Sequence, residues 1–305
     1  DIRQVSSTDL GFVAGPRLNA AGRLDDMSVG IECLLAESSA SARILAKQLN
    51  DFNKERKEIE RTMQTDAMTL LEKGDLSVGN EDFALSLFRE DWHQGVVGIL
   101  ASRIRERFHR PTIVFAQSGD GELKGSGRSI PGVHLRDALD RVATSTPGLI
   151  TKFGGHAMAA GLSLSEDDLP RFRETFNRVV AQALKGSLPD HVTVTDGQLP
   201  QSDLTLVLAE ALESGGPWGQ GFEAPSFEGV FTISDMRVVG EKHLKFRLVT
   251  EAGLIDAIAF NADVETWTRD TPKVLRCVYR PCVNEYRGDR RLQLQIEALW
   301  PEASG

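Results

Sequence analysis

Apolar residues follow two different periods along this chain. Between residues 42 and 70, Ala42, Leu45, Leu49, Phe52, Ile59, Met63, Ala67 and Leu70 recur at steps of three, four or seven, which is the helical period. Lys54, Glu55, Arg56, Lys57, Glu58 and Glu60 fill the gaps and mark a solvated face. The spacing predicts a short helix near 29–36 and a long one near 40–73, ending before Gly74. Asp25, Asp26 or Ser28 would cap the entry. A helix that long either spans between domains or runs through a core. Ahead of it, residues 1–27 carry Gly11, Gly15-Pro16 and Gly22 and read as loop.

From 82 to 185 the pattern alternates between strand and helix. Strands are expected over 83–88, 111–116, 122–129 and 162–164, with helices over 96–108, 135–144 and 169–184. That order predicts an α/β domain with helices covering a sheet. After Gly186, Pro189, Gly197, Pro200, Gly215-Gly216-Pro217 and Pro225 break the chain, around one helix near 204–214. From Phe227 onward short strands dominate: 229–233, 236–239, 244–249, 254–260, 273–283 and 292–298. Five or six short strands predict a small barrel, and an OB-fold fits. The chain thus divides at about 1–28, 29–75, 76–186 and 187–305.

Composition narrows the function classes only a little. The 305 residues are 41% hydrophobic and 26% charged, ordinary for a globular protein. No apolar run reaches the length of a membrane span. The net charge of −9 argues against a general nucleic-acid coat. That charge is uneven, however. Glu166, Asp167 and Asp168 cluster, and residues 190–223 hold almost no Lys or Arg, while cations gather near Arg103–Arg110 and in the last quarter. Cys33, Cys277 and Cys282 lack metal-like spacing and read as reduced thiols of a cytoplasmic protein.

Three stretches carry candidate chemistry. In Gly154-Gly155-His156-Ala157-Met158-Ala159-Ala160-Gly161-Leu162, small residues let a ligand or another backbone come close at what reads as a strand-loop-helix junction. His156 there either donates to an oxyanion or is a satisfied histidine at a packed turn. In Lys124-Gly125-Ser126-Gly127-Arg128-Ser129, hydroxyls, a guanidinium and glycine-exposed backbone suit a phosphate. The plain alternative is a glycine-rich hairpin whose Arg128 makes a surface ion pair. The run from Trp92 to Arg103 reads as a loop entering a helix, whose N-terminus favours anions. His93 either positions a phosphate or caps that helix.

Taken in order, these stretches resemble the DHHA1 domain of the DHH phosphoesterase superfamily, and most nearly its RecJ branch of 5′→3′ single-strand DNA exonucleases. The segment Gly15-Pro16-Arg17-Leu18-Asn19-Ala20-Ala21-Gly22-Arg23-Leu24-Asp25-Asp26 resembles the end of that family's catalytic domain. Resemblance runs from about Gly15 to Pro301. It implies a DHHA1 mixed α/β domain, joined by a long connecting helix to the end of a DHH domain and followed by an OB-fold β-barrel. It also implies that Ser126, Arg128 and His156 line a phosphate path, and that Asn19 and Arg23 meet the substrate backbone from a Gly/Ala-rich loop. The family's Mn²⁺ or Mg²⁺ site rests on an Asp-His-His triplet. None occurs here; the nearest string is Asp190-His191-Val192. The chain therefore looks like a C-terminal part that grips single-stranded DNA for repair and recombination and is inactive alone. Asp25 and Asp26, adjacent and without a nearby histidine, make no metal site. A helicase and a single-strand-binding protein are partners implied by the family alone. Two other readings share the motifs: a phosphodiesterase for short oligonucleotides or cyclic dinucleotides, and a non-catalytic nucleic-acid-binding module.

In the barrel segment, Phe246, Trp267, Tyr279 and Tyr286 lie among many cations. Such aromatics either stack on bases or fill the core. Along Lys245-Phe246-Arg247, strand alternation puts the ring opposite the two cations. The run Tyr286-Arg287-Gly288-Asp289-Arg290-Arg291 reads as an exposed basic loop, with Arg287, Arg290 and Arg291 as strand contacts.

Overall fold

A computed structural model describes residues 5, 7–73, 78–79, 81–119, 121–190, 192–219, 221–269, 272–286 and 288–302. The chain forms two compact units, Asp1–His191 and Val192–Gly305.

The first unit departs from expectation at its start. The segment read as loop is helical: α1 (Ser7–Asp9), a π-helical turn (Leu10–Ala14) and α2 (Gly15–Leu24). Pro16 occupies the first turn of α2, where the missing N–H costs nothing. Ala20 and Ala21 are fully buried. A Cβ at Gly22 would sit 3.3 Å from Met27 Sδ, so this glycine serves close packing rather than a turn. After α3 (Ser28–Leu35) comes α4 (Ser39–Lys73), whose 35 residues span about 52 Å. Its first half carries α2, with Arg17 Nε donating to Asn50 Oδ1 at 3.2 Å. Its second half is core: Met63, Ala67 and Leu71 are buried in one cluster with residues of the following α/β layer.

That layer is a five-stranded sheet ordered β1-β2-β3-β5-β4. Its strands are β1 (Leu85–Phe88), β2 (Thr112–Gln117), β3 (Glu122–Arg128), β4 (Lys152–Gly155) and β5 (Ala159–Ser165). Only β1–β2 is parallel. The helices are α5 (Val97–Phe108), α6 (Leu135–Ser145) and α7 (Leu169–Ala183). Alternation along β2 assigns the faces. Ile113 and Phe115 join α6 and α7 in one cluster, while Val114 and Ala116 join α4 and α5 in the other. The stretch read as strand-loop-helix is instead the β4–β5 hairpin. Four-residue β4, rich in glycine, gave no apolar alternation to announce it.

Glu60 pins α4 to α5. Its side chain is 12% exposed and accepts from Arg56 Nη1 at 2.7 Å and Arg103 Nε at 3.3 Å. Arg56 also donates to Asn53 Oδ1 at 2.8 Å. Glu60→Ala would leave Arg56 without its anion and cut the α4–α5 bridge from Arg103, which keeps Glu106 at 3.4 Å. We expect a loss of about 1–2 kcal/mol, below that of a fully buried pair because Arg103 is half exposed. Urea midpoints of the two proteins would check it, and an unchanged midpoint would contradict the clamp.

In the second unit, after α8 (Leu206–Ser214), five strands close a barrel in the order β10-β8-β7-β6-β9. These are β6 (Phe227–Val239), β7 (His243–Thr250), β8 (Gly253–Ala259), β9 (Val274–Tyr286) and β10 (Asp289–Glu302). Two expected strands merge into β6, with a bulge between Ile233 and Asp235 marking the bend. A short helix, α9 (Val264–Arg269), escaped the sequence reading because six mostly polar residues give no period. It places Trp267 in the barrel core, 5.9 Å from Phe246. Phe246 and Tyr279 are buried as well, so these three rings are core and not stacking platforms. Tyr286 is 66% exposed. The three thiols are free.

Candidate phosphate-binding site

The first unit brings four of its six candidate residues together at the start of α5. Among the described residues, no side chain caps this helix N-terminus. A Cβ at Gly98, in its first turn, would stand 2.9 Å from Ser126 Oγ and 3.2 Å from Arg128 Nη2. The last turn of α2 arrives at the same place. Arg23 Nη1 donates to the Gly95 carbonyl at 3.1 Å, and a Cβ at Gly95 would collide with the Arg23 carbonyl oxygen. His93 Nδ1 accepts from the Gly95 N–H at 3.0 Å. This histidine therefore caps its own turn and keeps Nε2 as the nitrogen available to donate.

Arg128 sits in an unusual electrostatic position. Nη1 donates to Ser126 Oγ at 3.3 Å and to the Gly127 carbonyl at 2.9 Å, both neutral acceptors. Burial lowers its pKa from the ordinary guanidinium value, and the neighbouring charges of Arg23 and Arg105 lower it further. Cations crowded this way are worth more with an anion among them. Arg105 was not among the sequence candidates. It lies on α5 seven residues after Gly98, two turns along one face, and that spacing was the available signal.

The glycines around Ser126 act differently from expectation. Gly125 and Gly127 do not open the strand to a phosphate. Alternation turns them to the core, where Cβ atoms would meet Phe115 Cε1 at 2.5 Å and Leu135 Cδ2 at 2.8 Å. Room on the outer face comes from the next strands. Ser126 pairs with Gly161, which pairs with Gly154, and Arg128 pairs with Ala159. Among the described residues, a Cβ at Gly154 would touch nothing within 4 Å, so the sheet here is a bare, exposed floor. Ala160, by contrast, is buried in the core.

The last two candidates of this unit lie at the edges. His156 is exposed in the β4–β5 turn, and its N–H bonds the Ala159 carbonyl at 2.8 Å, at the same end of the sheet as Arg128. Asn19 is exposed on α2, one turn before Arg23. The helix that replaces the expected loop is what aligns these two side chains.

The second unit treats its candidates differently. Arg290 Nη1 lies 2.7 Å from Glu210, on α8, and its Nε lies 3.9 Å from Glu285. Arg291 Nε donates to Asp289 at 2.7 Å. The expected basic loop is the tight β9–β10 turn, in which both cations carry local anions. Arg287 lies outside the described residues. Among the described residues, no group of three or more His, Cys, Asp or Glu side chains converges to hold a metal ion. Among them, too, no helix is long and apolar enough to cross a membrane.

Family comparisons agree with this architecture. Residues 80–182 match the DHHA1 domain, and residues 195–298 match the RecJ OB domain. The chain is 50% identical over 303 residues to the single-stranded-DNA-specific exonuclease RecJ of Escherichia coli, covering 99% of the chain and 52% of that relative. With the RecJ of Dickeya dadantii it shares 52% identity, covering 53% of it. It thus spans about half the length of the curated relatives it matches. The crystal structure of RecJ from Thermus thermophilus in complex with Mg²⁺ superposes with a TM-score of 0.78 at 28% identity, covering 98% of this chain and 44% of that one. The Mn²⁺ complex of the same protein gives 0.77.

Proposed function

We propose, for a chain that carries a DHHA1 domain followed by a RecJ OB domain and matches the C-terminal part of RecJ single-stranded-DNA exonucleases, that it holds the phosphate backbone of a DNA strand during exonucleolytic hydrolysis. The observation that carries this is the gathering of Arg23 and Arg128 with Ser126 at the N-terminus of α5, with the charge of Arg105, in the last turn of that helix and paired to Glu106, acting on Arg128 from farther along. A phosphate there accepts from the Arg128 fork and the Ser126 hydroxyl, and the helix dipole adds to the field. The bare floor of Gly154, Ala159 and Gly161 lets the sugar-phosphate chain lie against the sheet. Arg23 and Asn19 approach from α2, His93 offers Nε2, and His156 bounds the far edge.

In the parent protein, residues 1–28 close the catalytic DHH domain, 29–75 connect, 76–186 form the DHHA1 domain and 187–305 the OB domain. Bond cleavage belongs to the portion of the relatives that this chain does not match. Mg²⁺ or Mn²⁺ would supply activated water there. The described residues offer no ligand set for either ion. The parent would act in cytoplasmic repair and recombination, alongside a helicase and a single-strand-binding protein.

Two measurements on the purified chain test this reading. Labelled single-stranded and duplex oligonucleotides titrated across a salt series should show single-strand preference and a negative log K against log salt slope. Equal or absent binding would argue against it. The chain with Mn²⁺ should release no nucleotides, and release would overturn the division of labour.

A further inference from the structure

The outer face of the β7–β8 hairpin has a chemistry of its own. Leu244, Phe246 and Leu248 point into the barrel, as do Ile255, Ala257 and Ala259. Their alternates face out and pair across the strands: Lys245 with Ile258, Arg247 with Asp256, Val249 with Leu254. At one end of the row His243 stands T-shaped to Phe260, ring centroids 5.2 Å apart, with Phe260 51% exposed. On β6, Arg237 lies beside Lys245 and Asp235 beside Arg247. On β10, Gln293 lies beside Asp256. The face thus combines cations, exposed apolar surface and an aromatic ring. Two carboxylates sit among the cations: Asp235, across from Arg247, and Asp256, 2.9 Å from Lys245 Nζ and 3.8 Å from Arg247 Nε.

On this face, the one that barrels of this kind turn to oligonucleotides, we propose that Asp256 is a resident competitor that the strand's phosphate must displace. The proposal rests on the strand-binding reading above and adds to it a residue that opposes binding. β7 and β8 are the second and third strands of the barrel, the pair that faces oligonucleotides in barrels of this kind. Rings and apolar side chains beside cations are what base stacking and backbone contact require. A carboxylate oxygen and a phosphate oxygen make the same charge-assisted bonds to lysine and arginine. Because the ion pairs are partly exposed, exchanging one anion for the other is nearly even in free energy. The face then binds a strand more weakly than its cations alone would allow.

Asp256→Asn keeps the shape and removes the competing charge. In salt-series titrations with labelled oligo-dT, it is expected to tighten binding about threefold to tenfold. The slope should steepen by about 0.7 for one added phosphate contact. Glu265→Gln, which removes an equal charge from the exposed pair with Arg269 on α9, is the control and should change affinity far less. Arg247→Ala should weaken binding and flatten the slope. Unchanged or weaker binding by Asp256→Asn would overturn the proposal, whether or not Arg247→Ala weakens binding. If Arg128→Ala still weakened binding, the phosphate-holding function would survive that failure. A wild-type chain that bound no single strand at low salt would bring down both.

Discussion

Arg128→Ala is expected to weaken single-stranded DNA binding by about tenfold and to flatten its salt dependence by about 0.7. The size follows from where the guanidinium sits. It is half-buried, held by Ser126 Oγ and the Gly127 carbonyl, and repelled by Arg23 and Arg105. Burying a cation beside like charges costs stability, so the residue contributes little to the fold on its own account. Arg128→Ala should therefore leave the thermal midpoint unchanged or slightly raised while binding falls. A purely structural arginine would give the opposite pair of results. Arg128→Lys keeps the charge but loses the planar fork, and should recover the salt slope better than the affinity. Affinity and slope both unchanged in the alanine variant would exclude Arg128 from the site.

Much of this architecture was legible because period and burial agree over long stretches. The 35-residue α4, the α5 and α7 helices and the buried strand β2 all announce themselves by spacing. What the sequence hid lay where one residue type serves two purposes. Gly22 and Pro16 read as loop punctuation, yet Pro16 fits a helix's first turn and Gly22 admits Met27. Gly125 and Gly127 read as a phosphate cradle because they flank Ser126. Strand alternation sends them to the core instead, and the bare floor is supplied by Gly154 and Gly161 from strands that pair alongside. Arg105 escaped because nothing local links it to Arg128; only the packing of α5 across β3 does. The tight β9–β10 turn read as a cationic loop because charge signs along a sequence do not show that Asp289 and Glu210 meet Arg291 and Arg290.

Gly95→Ala is expected to damage the site more than any truncation of a contacting side chain, because it acts on backbone. The α2 helix ends with the Arg23 carbonyl against the Gly95 Cα, where an added methyl has no room. A backbone atom cannot rotate away as a side-chain tip can, so α2 and the turn before α5 must separate. That movement breaks the Arg23–Gly95 bond and disturbs the His93 cap on the Gly95 N–H. Arg23 and Asn19 lie on one face of α2 and would leave together. Binding should fall by more than tenfold, and stability by about 2 kcal/mol, the range of an overpacked contact. Arg23→Ala separates the two causes. It removes the cation without forcing the helices apart, so it should lower affinity and salt slope with little change in the urea midpoint. Equal binding losses in the two variants, with no midpoint change in either, would mean that the close approach at Gly95 positions nothing. A larger loss in Gly95→Ala would show that docking α2 onto the start of α5 assembles the phosphate site.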